Sequence, residues 1–256
     1  MMKRFSLGWI TLATVFGGGC IVGGDGLFGS AKKGPHVVIS GDAGTLRAVS
    51  DFRSLLGDPN NGVAPGSFGS GRREINWDAV PATVTNTDSF PLGFFNSNSP
   101  RGAILETPGS GMRVSDNDFA DINPTYAGQF ADFSPVKTFA AIGSNQMDVT
   151  FRVPGSSEAA TVTGFGAVFS DIDLTTSSIQ FFDVGGGQIA VVQPKKGKEK
   201  FSFAGVVFDS PVVARVRVTM GDGPIGPGAF DIKNGGTLDL VVVDDFLYGE
   251  PHRSLE

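Results

Sequence analysis

Residues Ser178 to Gln193 read SIQFFDVGGGQIAVVQ. Two short runs rich in Ile, Phe and Val flank Asp183-Val184-Gly185-Gly186-Gly187. Aromatic and β-branched residues fit a pleated strand, and consecutive glycines fit a tight reversal, so the segment is a strand–turn–strand unit. The same grammar recurs along the chain. It predicts strands over 72–78, 102–106, 111–115, 137–142, 147–153, 160–172, 178–183, 188–193, 200–208, 212–220 and 238–248. Clusters such as VPGSS (153–157) and GDGPIGPG (221–228) separate them. Strands without interleaved helices indicate an all-β fold, an antiparallel two-sheet jelly-roll sandwich. The runs Val241-Val242-Val243 and Val206-Val207-Phe208 mark central strands covered on both faces.

One short helix precedes the strands. Leu46, Val49, Phe52, Leu55 and Leu56 recur at helical spacing, which predicts a helix over 45–56. Residues 57–71 then form a long loop. A weaker helical turn is expected in DFADINPTYAGQF (118–130), limited by Pro124. PKKGKEK (194–200) is a solvated hairpin tip.

Composition agrees. The 256 residues are 40% hydrophobic, enough for one sizeable core, and Gly 37 with Pro 15 supplies many turns. The 22 Phe against 2 Tyr and 2 Trp are core filling, as at Phe165, Phe169, Phe181, Phe201 and Phe203. A net charge of -6 offers no basic field for phosphate backbones, so nucleic acid is not an expected partner. Nucleotide binding has no support either, because no Gly-rich loop joins a strand to a helix.

The N-terminus carries a cationic start, Met1-Met2-Lys3-Arg4, and a short apolar run from Phe5 to Phe16. That run is too short to span a bilayer and reads as an export signal. Gly17-Gly18-Gly19-Cys20 follows and resembles a bacterial lipoprotein box, with Gly17 where Leu is usual. The resemblance implies lipidation at Cys20 and an exported protein, either an outer-membrane or cell-surface lipoprotein or a secreted one. Ordinary cleavage is the alternative. Cys20 is the single cysteine, so no internal disulfide staples the fold. The expected layout is a signal over 1–20, a flexible tether over 21–44, one β-sandwich domain over 45–251 and a tail over 252–256.

Absent residue types limit the chemistry. The 2 histidines, His36 and His252, fall in the expected tether and tail, so a hydrolase built on an imidazole has no rigid support. Zinc sites of His and Cys fail for the same reason. Oxygen chemistry remains, with 26 acids in several tight groups. In GRREINWDAVP (71–81), Glu74, Asn76 and Asp78 alternate with Ile75 and Trp77, which on a strand sets three oxygen-bearing side chains on one face. SDNDFAD holds Asp116, Asp118 and Asp121 in what reads as a solvated loop. Asp171 and Asp173 share one face at a strand end, and Asp244 with Asp245 closes VVVDD. Consecutive strand residues point to opposite faces, so one of Asp244 and Asp245 is expected to head inward, where an unpartnered carboxylate costs several kcal/mol. A calcium ion or pairing with Arg72, Arg73 or Arg101 answers that cost.

VVVDDFLYGEP (241–251) resembles the terminal strand of jelly-roll carbohydrate-binding modules. The resemblance implies a structural calcium held by Asp244 with oxygens of an early strand, here Glu74, Asn76 or Asp78, and with Asp171 and Asp173 as further candidates. EINWD is similar to the catalytic strand of laminarinase-type glycoside hydrolases, which would make Glu74 nucleophile and Asp78 acid. It departs from that pattern in Asn76 and in the short side chain of Asp78, and retaining chemistry needs carboxyls ~5–5.5 Å apart. GRREINWD, FFNSNSPRG, INPTYAGQFADFS, GFGAVFSDIDL and VVVDDFLYGEP together resemble a group of secreted bacterial β-sandwich proteins. The leading expectation is a non-catalytic exported surface module that binds extracellular polysaccharide or another envelope polymer and touches membrane only through a lipid on Cys20. The alternatives are a hydrolase using Glu74 and Asp78, or a purely structural envelope protein.

Overall fold

A computed structural model describes residues 35–197 and 200–254. The expected export signal and Cys20 lie outside the described residues. In chain order the elements are β1 (His36–Gly41), α1 (Thr45–Leu56), β2 (Arg72–Ile75), α2 (Phe94–Ser97), β3 (Ala103–Glu106), β4 (Gly111–Ser115) and β5 (Thr138–Ile142). There follow β6 (Gln146–Arg152), β7 (Ala159–Thr161), β8 (Gly164–Ser170), β9 (Ser178–Phe182), β10 (Gln188–Val192), β11 (Phe201–Val207), β12 (Arg215–Thr219), β13 (Val242–Gly249) and β14 (His252–Arg253).

The strands form two 7-stranded antiparallel sheets. Sheet A runs β1-β11-β8-β13-β5-β4 with β2 also on β13, and sheet B runs β10-β9-β12-β6-β7-β14 with β3 also on β6. From β5 onward the chain crosses between sheets so that β5-β13-β8-β11 faces β6-β12-β9-β10. That interleaving of two Greek keys is the jelly roll. The opening segment Ser178–Gln193 is its β9–β10 hairpin, paired with a bulge between Gln188 and Ala190.

The inter-sheet core takes alternate residues from both sheets, among them Phe151, Phe165, Phe169, Phe181, Val216 and Phe246. Sheet A is covered on its other face too. Val49, Phe52 and Leu56 of α1 pack on Val168, Phe203 and Leu247. Phe52 reaches the sheet because Gly166 and Gly205 face each other across β8 and β11. A Cβ on Gly205 would stand 2.6 Å from the Phe52 ring, so no larger residue fits there. A third cluster, including Phe119, Tyr126, Phe130 and Val242, covers the rest of that face. Strands β5, β8 and β13 are accordingly buried at every position, which is why they read as unbroken apolar runs. Among the described residues sheet B has no such cover, and its outward residues stay half-exposed.

Three expectations need correction. The tether predicted over 21–44 ends earlier than expected among the described residues, because 36–41 pair with β11 as the edge strand of sheet A. The predicted strand 160–172 is two strands on different sheets, β7 and β8. His252, expected in a tail, pairs with Thr161 in β14. The helix 45–56 and the loop 57–71 lie where the sequence places them, and the turn near Pro124 is a single 3-10 turn, Pro124–Tyr126. Among the described residues no helix is long and apolar enough to cross a membrane.

Candidate functional site

β2 pairs with β13 so that Glu74 stands opposite Leu247, which brings the Glu74 row close to Asp244 and Asp245. The strand stops at Ile75, three residues short of the predicted 78. Trp77 ends it with a positive φ of 64° and buries its ring in the core, stacked 4.1 Å from Phe139, while Nε1 donates to the Asp244 carbonyl at 2.8 Å. Glu74, Asn76 and Asp78 therefore share the side away from the core but not one continuous strand.

Each acid of the row has its own partner. Glu74 accepts from Arg53 Nη2 at 2.8 Å and from Arg72 Nε at 2.7 Å. Burial pushes this carboxyl up, but the hydrogen bonds and charges of the two guanidiniums outweigh it and hold the group below its usual range. Asp78 accepts from the Val136 N–H at 2.6 Å. Asn76 is exposed, and its carbonyl lies 3.3 Å from Ser134 Oγ. Of the arginines named from sequence, Arg72 pairs with Glu74, Arg101 Nε donates to the Glu74 carbonyl at 2.8 Å, and Arg73 pairs elsewhere with Glu250. Arg53, on α1, was not anticipated; its partner lies 21 positions away.

Asp244 and Asp245 correct the expectation of opposite faces. The β13–β8 register shifts between Val243 and Phe246, so both aspartates sit in a bulge. A bulge sets two residues against one partner residue and re-aims their side chains. Ser134 Oγ lies 3.1 Å from Asp244 Oδ1 and 2.8 Å from Asp245 Oδ1, so both carboxyls meet one hydroxyl. Asp244 Oδ2 also accepts from the Phe133 N–H at 2.6 Å and the Ser134 N–H at 3.2 Å. Arg53 Nη2 is 3.7 Å from Asp245 Oδ2. Burial first, and then the Asp245 charge, push Asp244 up to about 8, with the N–H and O–H donors pulling back. Burial likewise raises Asp245. The pair therefore holds a proton at neutral pH. With guanidiniums on Glu74 and N–H donors on Asp244, the set Asp244, Glu74, Asn76 and Asp78 leaves few free oxygens for a cation.

A second acidic centre was only half legible. Asp173, Asp231 and Asp239 each bring a carboxylate oxygen within 4.8 Å of the others, an arrangement able to hold a metal ion. Asp239, fully buried, accepts from the Asp173 N–H at 2.9 Å and the Leu174 N–H at 3.0 Å. Asp231 accepts from the Lys233 and Leu240 N–H groups at 2.8 and 2.9 Å. Asp173 Oδ2 is buried without a donor. Burial, then the charges of Asp231 and Asp239, raise the Asp173 carboxyl. Burial raises Asp239 as well, and Asp222 adds to it. Asp171 does not share this cluster, because its positive φ of 69° turns it out of line and it pairs with Lys233. Asp231 and Asp239 escaped sequence reading, since each is a lone Asp in its segment. The loop acids go to local partners: Asp116 to Asn86, Asp118 to the Gly128 N–H and Asp121 to Arg113.

The third feature is the open face of sheet B. One rung across it runs Glu106, Asp148, Arg217, Gln180, and the next runs Ile104, Thr150, Arg215, Phe182. Arg217 holds Asp148 through two bonds of 2.7 and 2.9 Å, and Arg215 Nη1 reaches the same carboxylate at 3.0 Å. The Arg215 guanidinium lies 3.7 Å over the Phe182 ring. Gln180 donates to Gln188 at 2.9 Å. Trp77, Tyr126 and Tyr248 are all buried, so none of them offers a flat aromatic platform at the surface.

No family model matches the chain and no curated protein sequence matches it. Among solved structures it is similar to the enzymatically active domain of bacteriophage CBA120 tailspike protein 4, at 15% identity over 65% of this chain, with a TM-score of 0.28. The chain spans only 21% of that tailspike chain. It is also similar to TmCBM61 in complex with beta-1,4-galactotriose, at 11% identity over 64% of this chain and 95% of that one, with a TM-score of 0.28. Likenesses this distant say nothing about ligand, and the jelly roll is established by the strand order itself.

Proposed function

We propose that this chain is a non-catalytic, exported surface module that binds extracellular polysaccharide or another envelope polymer, kept at the envelope by a lipid on Cys20. The observation that carries the reading is the face of sheet B left uncovered among the described residues, where Asp148, Arg215, Arg217, Gln180 and Gln188 hold one another in place. Fixed donors and acceptors on a rigid sheet suit hydroxyl-rich ligands, because little side-chain entropy is lost on binding. The hydrolase alternative has less support. Glu74 is closed between two guanidiniums under α1, and Asp78 accepts a backbone N–H beyond the strand end.

Affinity electrophoresis against a panel of envelope and plant polysaccharides tests the reading. Arg217→Ala and Gln180→Ala are each expected to weaken binding roughly three- to tenfold, the scale of one or two lost hydrogen bonds. Leu46→Ala, on the exposed side of α1, leaves it unchanged. Failure of every polymer to bind would leave a purely structural envelope role.

The structural calcium of this reading sits at Asp173, Asp231 and Asp239 rather than at Asp244. Three carboxylates, one with a donor-free buried oxygen, match the hard oxygen ligands that calcium takes. A cation there would also offset the burial and the mutual repulsion that together raise Asp173. Calcium at about a hundred times its Kd would add about 2.7 kcal/mol, several degrees in Tm. Melting curves with calcium and with chelator should show that gap for the wild type and none for Asp239→Asn. Coincident wild-type curves would remove the metal from this site.

A further inference from the structure

We infer that the Arg152–Arg215 end of the open face receives a carboxylate, so that the polymer is an acidic, uronate-bearing glycan rather than a neutral one. The inference rests on the polymer-binding reading above and adds the class of ligand.

β6 sets Thr150 and Arg152 on the outer face, and Arg215 stands opposite Thr150 on β12. Arg152, Thr150 and Arg215 line a groove of about 510 Å³, with Ala160 and Ala214 among its lining and Asp183 and Val184 on the wall. Charge here runs against the rest of the chain. Arg217 already takes both oxygens of Asp148, so the one negative charge of Asp148 serves two guanidiniums. Arg152 donates only to a backbone carbonyl, that of Phe151 at 3.0 Å, and has no acid partner among the described residues. Asp183 is the acid on the groove wall, and its Oδ1 accepts from the Gly187 N–H at 2.8 Å. Of the charged residues that line the groove, Arg152 and Arg215 stand against Asp183 alone, a surplus of one positive charge in a protein whose net charge is -6. Glu106, Asp148 and Arg217 form the adjoining rung and do not line the groove.

Geometry favours a carboxylate over a diffuse anion. Arg215 is held flat by the Phe182 ring at 3.7 Å and tied at Nη1 by Asp148, and no partner among the described residues takes its Nε or Nη2. A guanidinium fixed in this way presents a planar pair of donors that matches a carboxylate and costs little entropy to use. Thr150 adds a hydroxyl beside it for a sugar oxygen.

Titration calorimetry of the full chain with polygalacturonate, with the same polymer after reduction of its carboxyls to alcohols, and with dextran sulfate tests this. Polygalacturonate is expected to bind at least tenfold tighter than its reduced form and tighter than dextran sulfate. Arg215→Gln and Arg152→Gln should each erase that margin, and Arg152→Gln should do so while leaving the affinity for the reduced polymer unchanged. Arg152 has no side-chain partner to lose, so it serves if the Arg215 variant misfolds. Equal affinity for the two forms, a margin that survives both substitutions, or dextran sulfate binding as tightly would overturn the inference. Binding confined to neutral glycans would overturn it too and leave the polymer-binding reading standing. Only if no polymer of any kind binds does that earlier reading fail.

Discussion

Glu250→Gln is expected to cost roughly 3–5 kcal/mol of stability, because it strands a buried guanidinium without its counter-charge. Arg73 and Glu250 are 0% and 1% exposed and meet through two bonds of 2.7 Å. The remaining Arg73 N–H groups donate to the carbonyls of Gly62, Ala64 and Gly66 at 2.9, 2.7 and 3.1 Å. Glu250 in turn accepts from Asn61 Nδ2 at 2.8 Å and from the Phe68 N–H at 3.2 Å. One ion pair thus fastens most of the loop 57–71 to the end of β13, beside the backbone bonds that tie Pro59 and Asn61 to Arg72 and Gly71 to Glu250. Urea unfolding of Glu250→Gln and Arg73→Met checks the magnitude. Limited proteolysis should also find new cleavage between residues 60 and 70. A Glu250→Gln variant within about 1 kcal/mol of wild type would show that the pair is not desolvated as described.

The second large effect is a dependence on pH in an unusual direction. Asp244 titrates near 8 in the folded protein, against about 3.9 in an unfolded chain. A carboxyl raised on folding contributes fully at pH below its unfolded value, and the contribution is lost as pH climbs to the folded value. Between about pH 4 and pH 8 wild-type stability should therefore fall, by an amount on the order of several kcal/mol shared between Asp244 and its coupled neighbour Asp245. Glu74 works oppositely, since its lowered carboxyl contributes above the ordinary value and is lost only in acid. Asp244→Asn keeps an acceptor for the Phe133 and Ser134 N–H groups and places an amide donor beside Asp245. The variant should be more stable than wild type at pH 8 and should lose most of the slope. Denaturant midpoints at pH 4, 6 and 8 decide it, and parallel slopes for the two proteins would refute the assignment.

Much of the fold was legible in local pattern. The helix over 45–56 follows from apolar spacing that survives in the structure, with Val49, Phe52 and Leu56 buried and Leu46 on the open side. The run Val241-Val242-Val243 announces a strand buried on both faces because only a covered strand can be apolar at every position. β1 was missed since HVVISG is short and follows Gly34-Pro35, and its pairing with β11 joins residues more than 160 positions apart. The candidate sites were less readable. The nearness of Glu74 to the Asp244 region followed from the jelly roll, and Arg72 was among the pairing partners named from sequence, but the second partner of Glu74, Arg53, comes from a helix that packs on the sheet. Asp231 and Asp239 meet Asp173 only because separate loops converge at one end of the sandwich.

The order of residues alone determined the compositional class, the strand-and-turn grammar and the one amphipathic helix, because those depend on each residue's neighbours within a few positions. The tertiary structure decided which acids neutralise which cations, that a bulge turns Asp244 and Asp245 to one hydroxyl, and that among the described residues sheet B is the face left open. Those outcomes depend on register and on what lies across a sheet. Both are settled by long-range pairing that no short stretch of sequence encodes.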